Sequence, residues 1–307
     1  MYRTIAVLIA LTIQSPLFAW NKAGHMVSGA IAYAILKQDN PEVLAKAVQL
    51  LKAHPQFADH WSKRLEDAPD GDRDLMLFML AARWADDIRD KADYHHGRWH
   101  YINMPFKPDG QPDTIVPAPP DADNIVRAFE QNLAIVGSAT ASEDEKATSL
   151  CWVFHLVGDG HQPLHSVSLY TTNFPRGDRG GNSLNIRVKD TSASVINLHK
   201  FWDDLIIGSE NPRGTRNKAI ELRLRKDFAR ESLTELQEKK FENWVKLESF
   251  KLAKEIAYRN GQVAGSPNPA NPLVLPEGYI AEAKAVAERR IVLAGFRLSD
   301  LLIQTLK

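Results

Sequence analysis

The sequence is poor in cysteine, in net charge and in long apolar runs. Cys151 is the one cysteine in 307 residues, so no intrachain disulfide is possible. Its neighbours Trp152, Val153 and Phe154 make it a buried apolar residue. The 38 Lys and Arg balance the 38 Asp and Glu. No basic excess therefore advertises duplex DNA binding, although an enzyme that grips phosphate through metal stays open. No Asn-x-Ser/Thr site carries a permitted middle residue. There are no internal repeats and no coiled-coil heptads, and strand signals are few. The apolar run from Ile5 to Ile13 is too short to span a bilayer. With Arg3 before it and Ala19 after it, the run reads as a secretory signal peptide over residues 1–19. Leu17 makes the cleavage box imperfect, and cleavage after Ala19 fits best. A soluble protein is expected, periplasmic or secreted, with no stable membrane association, no obligate protein partner and a single domain over 20–307.

What is present is mostly helical. Val27, Ala30, Ile31, Ala34 and Ile35 recur at helical spacing, and Pro41 starts a second helix to about Lys52. Residues 67–74 read as a solvated loop, 75–90 as a helix ending in polar chemistry, 93–103 as extended and 104–122 as a long loop. Asn124–Val136 is an amphipathic helix. Ser142 followed by acids opens another, which Pro163 should end or bend. Residues 173–182 are rich in Gly and Arg, and 184–189 alternate like a short strand. Helices are expected over 197–204, 219–237, 242–258 and 279–306, with a Pro/Asn-rich loop over 261–278. The fold class is therefore mainly α, with a site built between helices.

The chemistry concentrates in ten histidines and their acidic neighbours. His155 and Asp159 are four apart, so both lie on one helix face. His199 and Asp203 repeat the spacing, and His165 follows the first pair. A neutral imidazole and a carboxylate converging from one face suit zinc. Either pair alone equally suits a buried hydrogen bond. His25, Asp86 and His100 complete the candidate ligands. Asp86 beside Arg89 also fits a plain helix ion pair. His54 and His60 lack an acid at ligand spacing and read as solvated, His95 and His96 as exposed, and His161 as out of step with the His155 face.

Taken together these residues form motifs: Trp20-x4-His25, Trp84-Ala-Asp86-x2-Arg89, Trp99-His100-Tyr-Ile-Asn103, His155-x3-Asp159-x5-His165, Gly180-Gly-Asn182 and Asn197-Leu-His199-x2-Trp-Asp203. A closing Ala294-Gly-Phe-Arg-Leu-Ser-Asp-Leu-Leu completes them. The chain thereby resembles the zinc-dependent S1/P1 nuclease family, single-strand-specific nucleases and 3′-nucleotidases, across nearly all of residues 20–307. The resemblance implies a helical bundle of the phospholipase C/nuclease P1 type with few short strands and three Zn2+ ions per chain. Asp86, His100, His155 and Asp159 would hold the first. His165, His199 and Asp203 would hold the second. Trp20, through its amino group and carbonyl, and His25 would hold the third, with Asp159 bridging. The Trp20 amine can bind only after signal cleavage, which couples export to metal loading.

The implied activity is hydrolysis of single-stranded DNA and RNA to 5′-phosphorylated products, with 3′-nucleotidase activity. A two-zinc pair would activate water, and the remaining zinc would stabilise the leaving 3′-oxygen. Arg89 would stabilise phosphoryl charge, and Asn182 would position the phosphate or the surroundings of Arg89. Tyr101 and Asn103 would bind the base, Tyr101 by stacking. Tyr101 fits a core position in an extended segment equally well. Zinc-dependent phospholipase C shares the implied scaffold and is the closest alternative. An exported zinc-storage protein is a third.

Overall fold

The computed structural model describes residues 20–69, 71–89 and 94–307. The signal peptide expected at 1–19 lies outside them. Eleven α-helical segments order the described chain: α1 (Lys22–Asp39), α2 (Pro41–Lys52), α3 (Ser62–Glu66), α4 (Arg73–Asp87), α5 (Ile125–Val136), α6 (Glu143–Asp159), α7 (Leu198–Asp203), α8 (Pro212–Arg223), α9 (Phe241–Asn243), α10 (Phe250–Leu252) and α11 (Tyr279–Leu306). No described helix is long and apolar enough to cross a membrane. The mainly helical class read from the sequence is the class observed.

Polar caps set several helix starts. Asn21 accepts from the Gly24 amide, Asn124 from Val126 and Arg127, Asn197 from Lys200 and Asn211 from Gly214. Ser142 and Glu145 form a reciprocal capping box at α6, satisfying donors that the first turn cannot pair internally. From Leu150 to Asp159 every residue of α6 is buried. A helix apolar on all sides belongs at the centre, and α6 packs against α4 and α5. α1, buried almost all round, packs on α4 and α11. Trp20, Phe78, Trp84 and Phe154 fill this main core; fully burying one such side chain is worth roughly 1.5–3 kcal/mol. A second apolar cluster gathers Leu164, Trp202, Tyr258 and Tyr279, with Leu205 packed against both. Polar groups on α6 are consequently held rigid and dry.

Among the described residues there are five short strands: β1 (Met104–Phe106), β2 (Val167–Leu169), β3 (Asn185–Arg187), β4 (Ile196–Asn197) and β5 (Leu273–Val274). β1 pairs parallel with β2, Met104 opposite Val167. β3 pairs antiparallel with β4 and parallel with β5.

Several expectations are corrected. Within 93–103, expected to be extended, Gly97–His100 forms a 3-10 turn, with Tyr101 extended after it. The expected 104–122 and 261–278 loops each contain a strand, because each finds a pairing edge far away in sequence. Pro163 does not end α6. The helix stops at Asp159 with Gly160 as its cap, and Pro163 opens a 3-10 turn of its own over Pro163–Ser166. The helix expected over 219–237 is α8, set earlier by Asn211 and Pro212. It gives way to three 3-10 turns, the first entered from extended Arg225, the second after extended Ala229 and the third after Leu233. Over 242–258, α9 and α10 alternate with π turns at Trp244–Ser249 and Ala253–Ala257.

His54 corrects the solvated reading most sharply. It is 3% exposed, packed beside the rings of Trp61 and Trp84, and its Nδ1 accepts from the Gln56 amide. Burial, with the His60 charge adding, lowers its pKa from 6.5 to about 4. A folded pKa below the unfolded one means that the unfolded chain binds the extra proton. Stability is then fully present above about pH 6.5 and is lost as pH falls toward 4, by on the order of 3 kcal/mol at 1.36 kcal/mol per unit. His54→Phe is expected to flatten that part of the stability–pH curve, measured by urea unfolding at pH 7 and pH 5. An unchanged slope would refute the assignment. His60 is exposed, as expected.

Candidate metal centre

α6 delivers His155 and Asp159 together from one face, both fully buried. The His155 Nδ1–H donates to the Ala82 carbonyl on α4 at 2.9 Å. This leaves its Nε2 lone pair aimed inward, 3.2 Å from Asp159 Oδ2 and 3.8 Å from Asp86 Oδ1. His25, on the first turn of α1, places Nε2 3.2 Å from Asp159 Oδ1 and 4.0 Å from Asp86 Oδ2. His100 Nδ1 lies 3.0 Å from both Asp159 Oδ2 and His155 Nε2. Three distant stretches, carrying His25, Asp86 and His100, thus meet His155 and Asp159 on α6.

A second cluster gathers His165, His199 and Asp203. The His165 Nδ1–H donates to the His100 carbonyl and the His199 Nδ1–H to the Gly180 carbonyl. Both Nε2 atoms then carry lone pairs, and they face each other at 3.0 Å. Asp203 Oδ2 lies 3.8 Å from His199 Nε2, and the Gln162 amide holds Asp203 Oδ1 at 2.8 Å. The Ile102 amide donates to the His165 carbonyl as the chain enters the β1–β2 pairing. His100 therefore serves one cluster with its ring and orients the other with its carbonyl.

Electrostatics fit a cation in both places. Burial, with His155 adding, lowers the His25 pKa. Burial, with Arg89 adding, takes His100 down to about 3. These imidazoles are neutral, as metal ligands must be. Burial opposes charge on His155, yet Asp159 and Asp86 outweigh it and raise its pKa. Burial would raise Asp159, but His155, His100 and His25 hold it well below the usual range. Burial drives Asp203 well up against the Gln162 hydrogen bond. His25 Nδ1 and Nε2, Asp86 Oδ2, His100 Nε2 and Asp159 Oδ1 are buried without a hydrogen-bond partner. Such orphaned atoms are costly unless a ligand satisfies them. His25–Asp86–His155, His100–His155–Asp159 and His165–His199–Asp203 could each hold a metal ion, and nitrogen with carboxylate oxygen is a donor set that zinc accepts.

The remaining sequence candidates fall into place as follows. Trp20 is fully buried, and its indole donates to the Gly158 carbonyl, beside Asp159 in the chain. Arg89 is held on Asp86 by Nε at 2.9 Å and Nη2 at 2.6 Å. Tyr101, Asn103 and Asn182 line a small cavity with Leu164, His165, Arg179 and His199. Asn182 thus stands beside the second cluster, its amide donating to the Arg179 carbonyl. Tyr101 is half-buried at this cavity. His161 is buried among Arg297, Arg290 and Trp244, out of step with α6's ligand face. His95 and His96 are exposed, His96 stacked on Trp99.

Sequence reasoning passed over Gln162, Asp178 and Arg179. Asp178 is fully buried and accepts from the Leu169 and Gly181 amides and the Tyr258 hydroxyl. It anchors the turn whose Gly180 carbonyl orients His199. The only available signal was the unusual Gly/Arg composition of 173–182.

Buried histidines and carboxylates that could hold a metal, between helices and beside a surface cavity, define a metal-dependent hydrolase centre. The model of the S1/P1 nuclease family matches residues 20–307, so the chain belongs to that family and is a nuclease acting on nucleic acid. Among its relatives, Endonuclease 3 of Arabidopsis thaliana is 24% identical, with 97% of this chain and 92% of the relative covered. Endonuclease 4 of the same plant is also 24% identical, covering 96% and 92%. Endonuclease 2 is 30% identical over 61% of this chain and 56% of its own length.

Proposed function

We propose that residues 20–307 act as one exported, zinc-dependent endonuclease domain. It cuts single-stranded DNA and RNA to 5′-phosphorylated products and also removes 3′-phosphate from nucleotides. The observation that carries this reading is the set of orphaned buried nitrogen and oxygen atoms around Asp159. Asp86, His100, His155 and Asp159 would hold one zinc, and His165, His199 and Asp203 a second. Trp20, once its amine is freed by cleavage after Ala19, would hold a third together with His25 and Asp159. When bound, zinc supplies Lewis acidity that brings a water toward neutral pKa and offsets charge on the departing 3′-oxygen.

The chain's own groups do the rest. Ala82, His100 and Gly180 carbonyls fix the tautomers of His155, His165 and His199, so the inward nitrogen of each of these rings keeps a lone pair to donate to a metal. Asp86 holds the Arg89 guanidinium at the first cluster, where its planar fork matches phosphoryl oxygens. Asn182 braces the rim of the second cluster through the Arg179 carbonyl. Tyr101 stacks an unpaired base and Asn103 meets the base edge, which favours single strands over duplex. Burial raises the Tyr101 pKa, so the phenol stays neutral at physiological pH.

Elemental analysis of the mature protein, with hydrolysis assays on single-stranded DNA, duplex DNA, a 3′-nucleotide and phosphatidylcholine, tests the proposal. Three zinc equivalents are expected, with single strands cut at least about tenfold faster than duplex, whose stacked bases must first be freed. Equal rates on duplex, or hydrolysis of the lipid alone, would overturn it.

A further inference from the structure

Arg179 stands at the mouth of the cavity that Tyr101, Asn103 and Asn182 line beside His165 and His199. It is exposed, whereas every proposed metal-binding side chain is buried. Arg89 is paired with Asp86 at the first cluster, away from this cavity, and no carboxylate among the described residues forms an ion pair with the Arg179 guanidinium. Its charge reaches Tyr101, where Arg98 adds a weaker positive effect and Asp121 and Asp123 oppose it. Asp123 accepts from the Trp99 indole, and Asp178, next in the chain to Arg179, is spent on Leu169, Gly181 and Tyr258.

The backbone gives a second reason. Arg179 has φ 60°, opening a left-handed run with Gly180 at 62° and Gly181 at 82°. That conformation is unfavourable for any residue with a Cβ. Gly180 must be glycine, since a Cβ there would stand 2.3 Å from the Leu164 carbonyl oxygen. Position 179 is open to solvent and would be less strained as glycine, yet it carries the longest cationic side chain. Ser168 Oγ takes its amide and Asn182 its carbonyl, so the guanidinium stem leaves a fixed base.

We propose that Arg179 is a substrate-binding residue that takes a second, non-scissile phosphate of a single-stranded nucleic acid whose base lies on Tyr101. The proposal rests on the nuclease reading of the same site. The cavity itself measures about 20 Å³, too small to enclose a nucleotide. The strand therefore lies across its mouth, within reach of an exposed cation. Arg179 thus favours a polynucleotide, which has a flanking phosphate, over a 3′-mononucleotide, which has none beyond the one removed.

The test uses the metal-loaded protein and a fluorescent oligothymidylate with phosphorothioate linkages, whose binding is followed by anisotropy from low to moderate salt. R179Q is expected to bind about tenfold more weakly at low salt, as loss of one charge-assisted contact implies. Its plot of log K against log salt should be shallower by about 0.7, the contribution of one phosphate contact on a single strand. R179K should keep the slope. R179G, which relieves the backbone, should behave like R179Q, separating charge from strain. In turnover assays, R179Q should lower the ratio of kcat/KM for the strand to that for a 3′-mononucleotide by a similar factor. Unchanged affinity and slope in R179Q, or equal losses on both substrates, would overturn the proposal. A wild-type protein that binds the strand but hydrolyses neither substrate would defeat the nuclease reading, and the salt comparison alone would still decide the role of Arg179.

Discussion

Asp159→Ala is expected to reduce hydrolysis of single-stranded DNA to background, a loss of more than about a hundredfold, since even partners one step removed from a metal cost ten- to a hundredfold. Asp159 touches His25 at 3.2 Å, His100 at 3.0 Å and His155 at 3.2 Å. Without its carboxylate, these buried rings lose the charge that lets them crowd together and attract cations. Breaking a buried ion pair by removing one partner costs about 3–5 kcal/mol. The apoprotein should therefore also unfold at lower urea concentration. Asp159→Asn keeps the shape and removes the charge, so it separates packing from electrostatics. Both variants should lose bound metal by elemental analysis. Full activity with full metal content in Asp159→Ala would refute the central place given to this residue.

The same carboxylate gives the apoprotein a pH dependence of definite sign. In the folded chain, against the effect of burial, His155, His100 and His25 hold its carboxyl well below the ordinary value of 3.8. Its stabilisation is thus fully present above about pH 4 and is lost as pH falls through the still lower folded pKa.

Gly180→Ala is the second large effect. Gly180 has φ 62°, and an added Cβ would lie 2.3 Å from the Leu164 carbonyl oxygen and 3.4 Å from His199 Nδ1. The close atom is backbone, so no side-chain rotation relieves the clash. The Gly180 carbonyl must move, and it is the acceptor that fixes His199. We expect a stability loss of more than about 1 kcal/mol from the left-handed backbone alone. A ten- to hundredfold drop in metal affinity or activity should accompany it, as for loss of an orienting partner. Zinc titration should show the weakening confined to the second cluster. Wild-type metal affinity in Gly180→Ala would show that His199 needs no orientation from this turn.

His155 and Asp159 were legible in the sequence because four residues of helix restore the same face, whatever the rest of the chain does. His199 and Asp203 repeat that geometry on α7. Polar caps and prolines are equally local, so Asn124, Ser142 and Pro41 announced their helices correctly, while the Asn21 cap that starts α1 was passed over. The π turns of 244–257 and the break after Arg223 were not legible, because helical periodicity does not distinguish an α from a slightly wider turn. His54 was misread because nothing near it in sequence shows Trp61 and Trp84 closing over it.

By itself the sequence determined the helical class, the family motifs and the candidate ligand types. Each depends on residues close in the chain or on the identity of a side chain. Only the tertiary structure decided that His25 and His100 meet on Asp159 and that Asp86 faces His25 and His155, because α1, α4 and α6 must first bury their apolar faces together. It also decided the link between the clusters. The parallel pairing of β1 with β2 brings the His100 carbonyl to His165 across 65 residues. No periodicity encodes such a contact; it exists because buried amides and carbonyls far apart in the chain must satisfy one another.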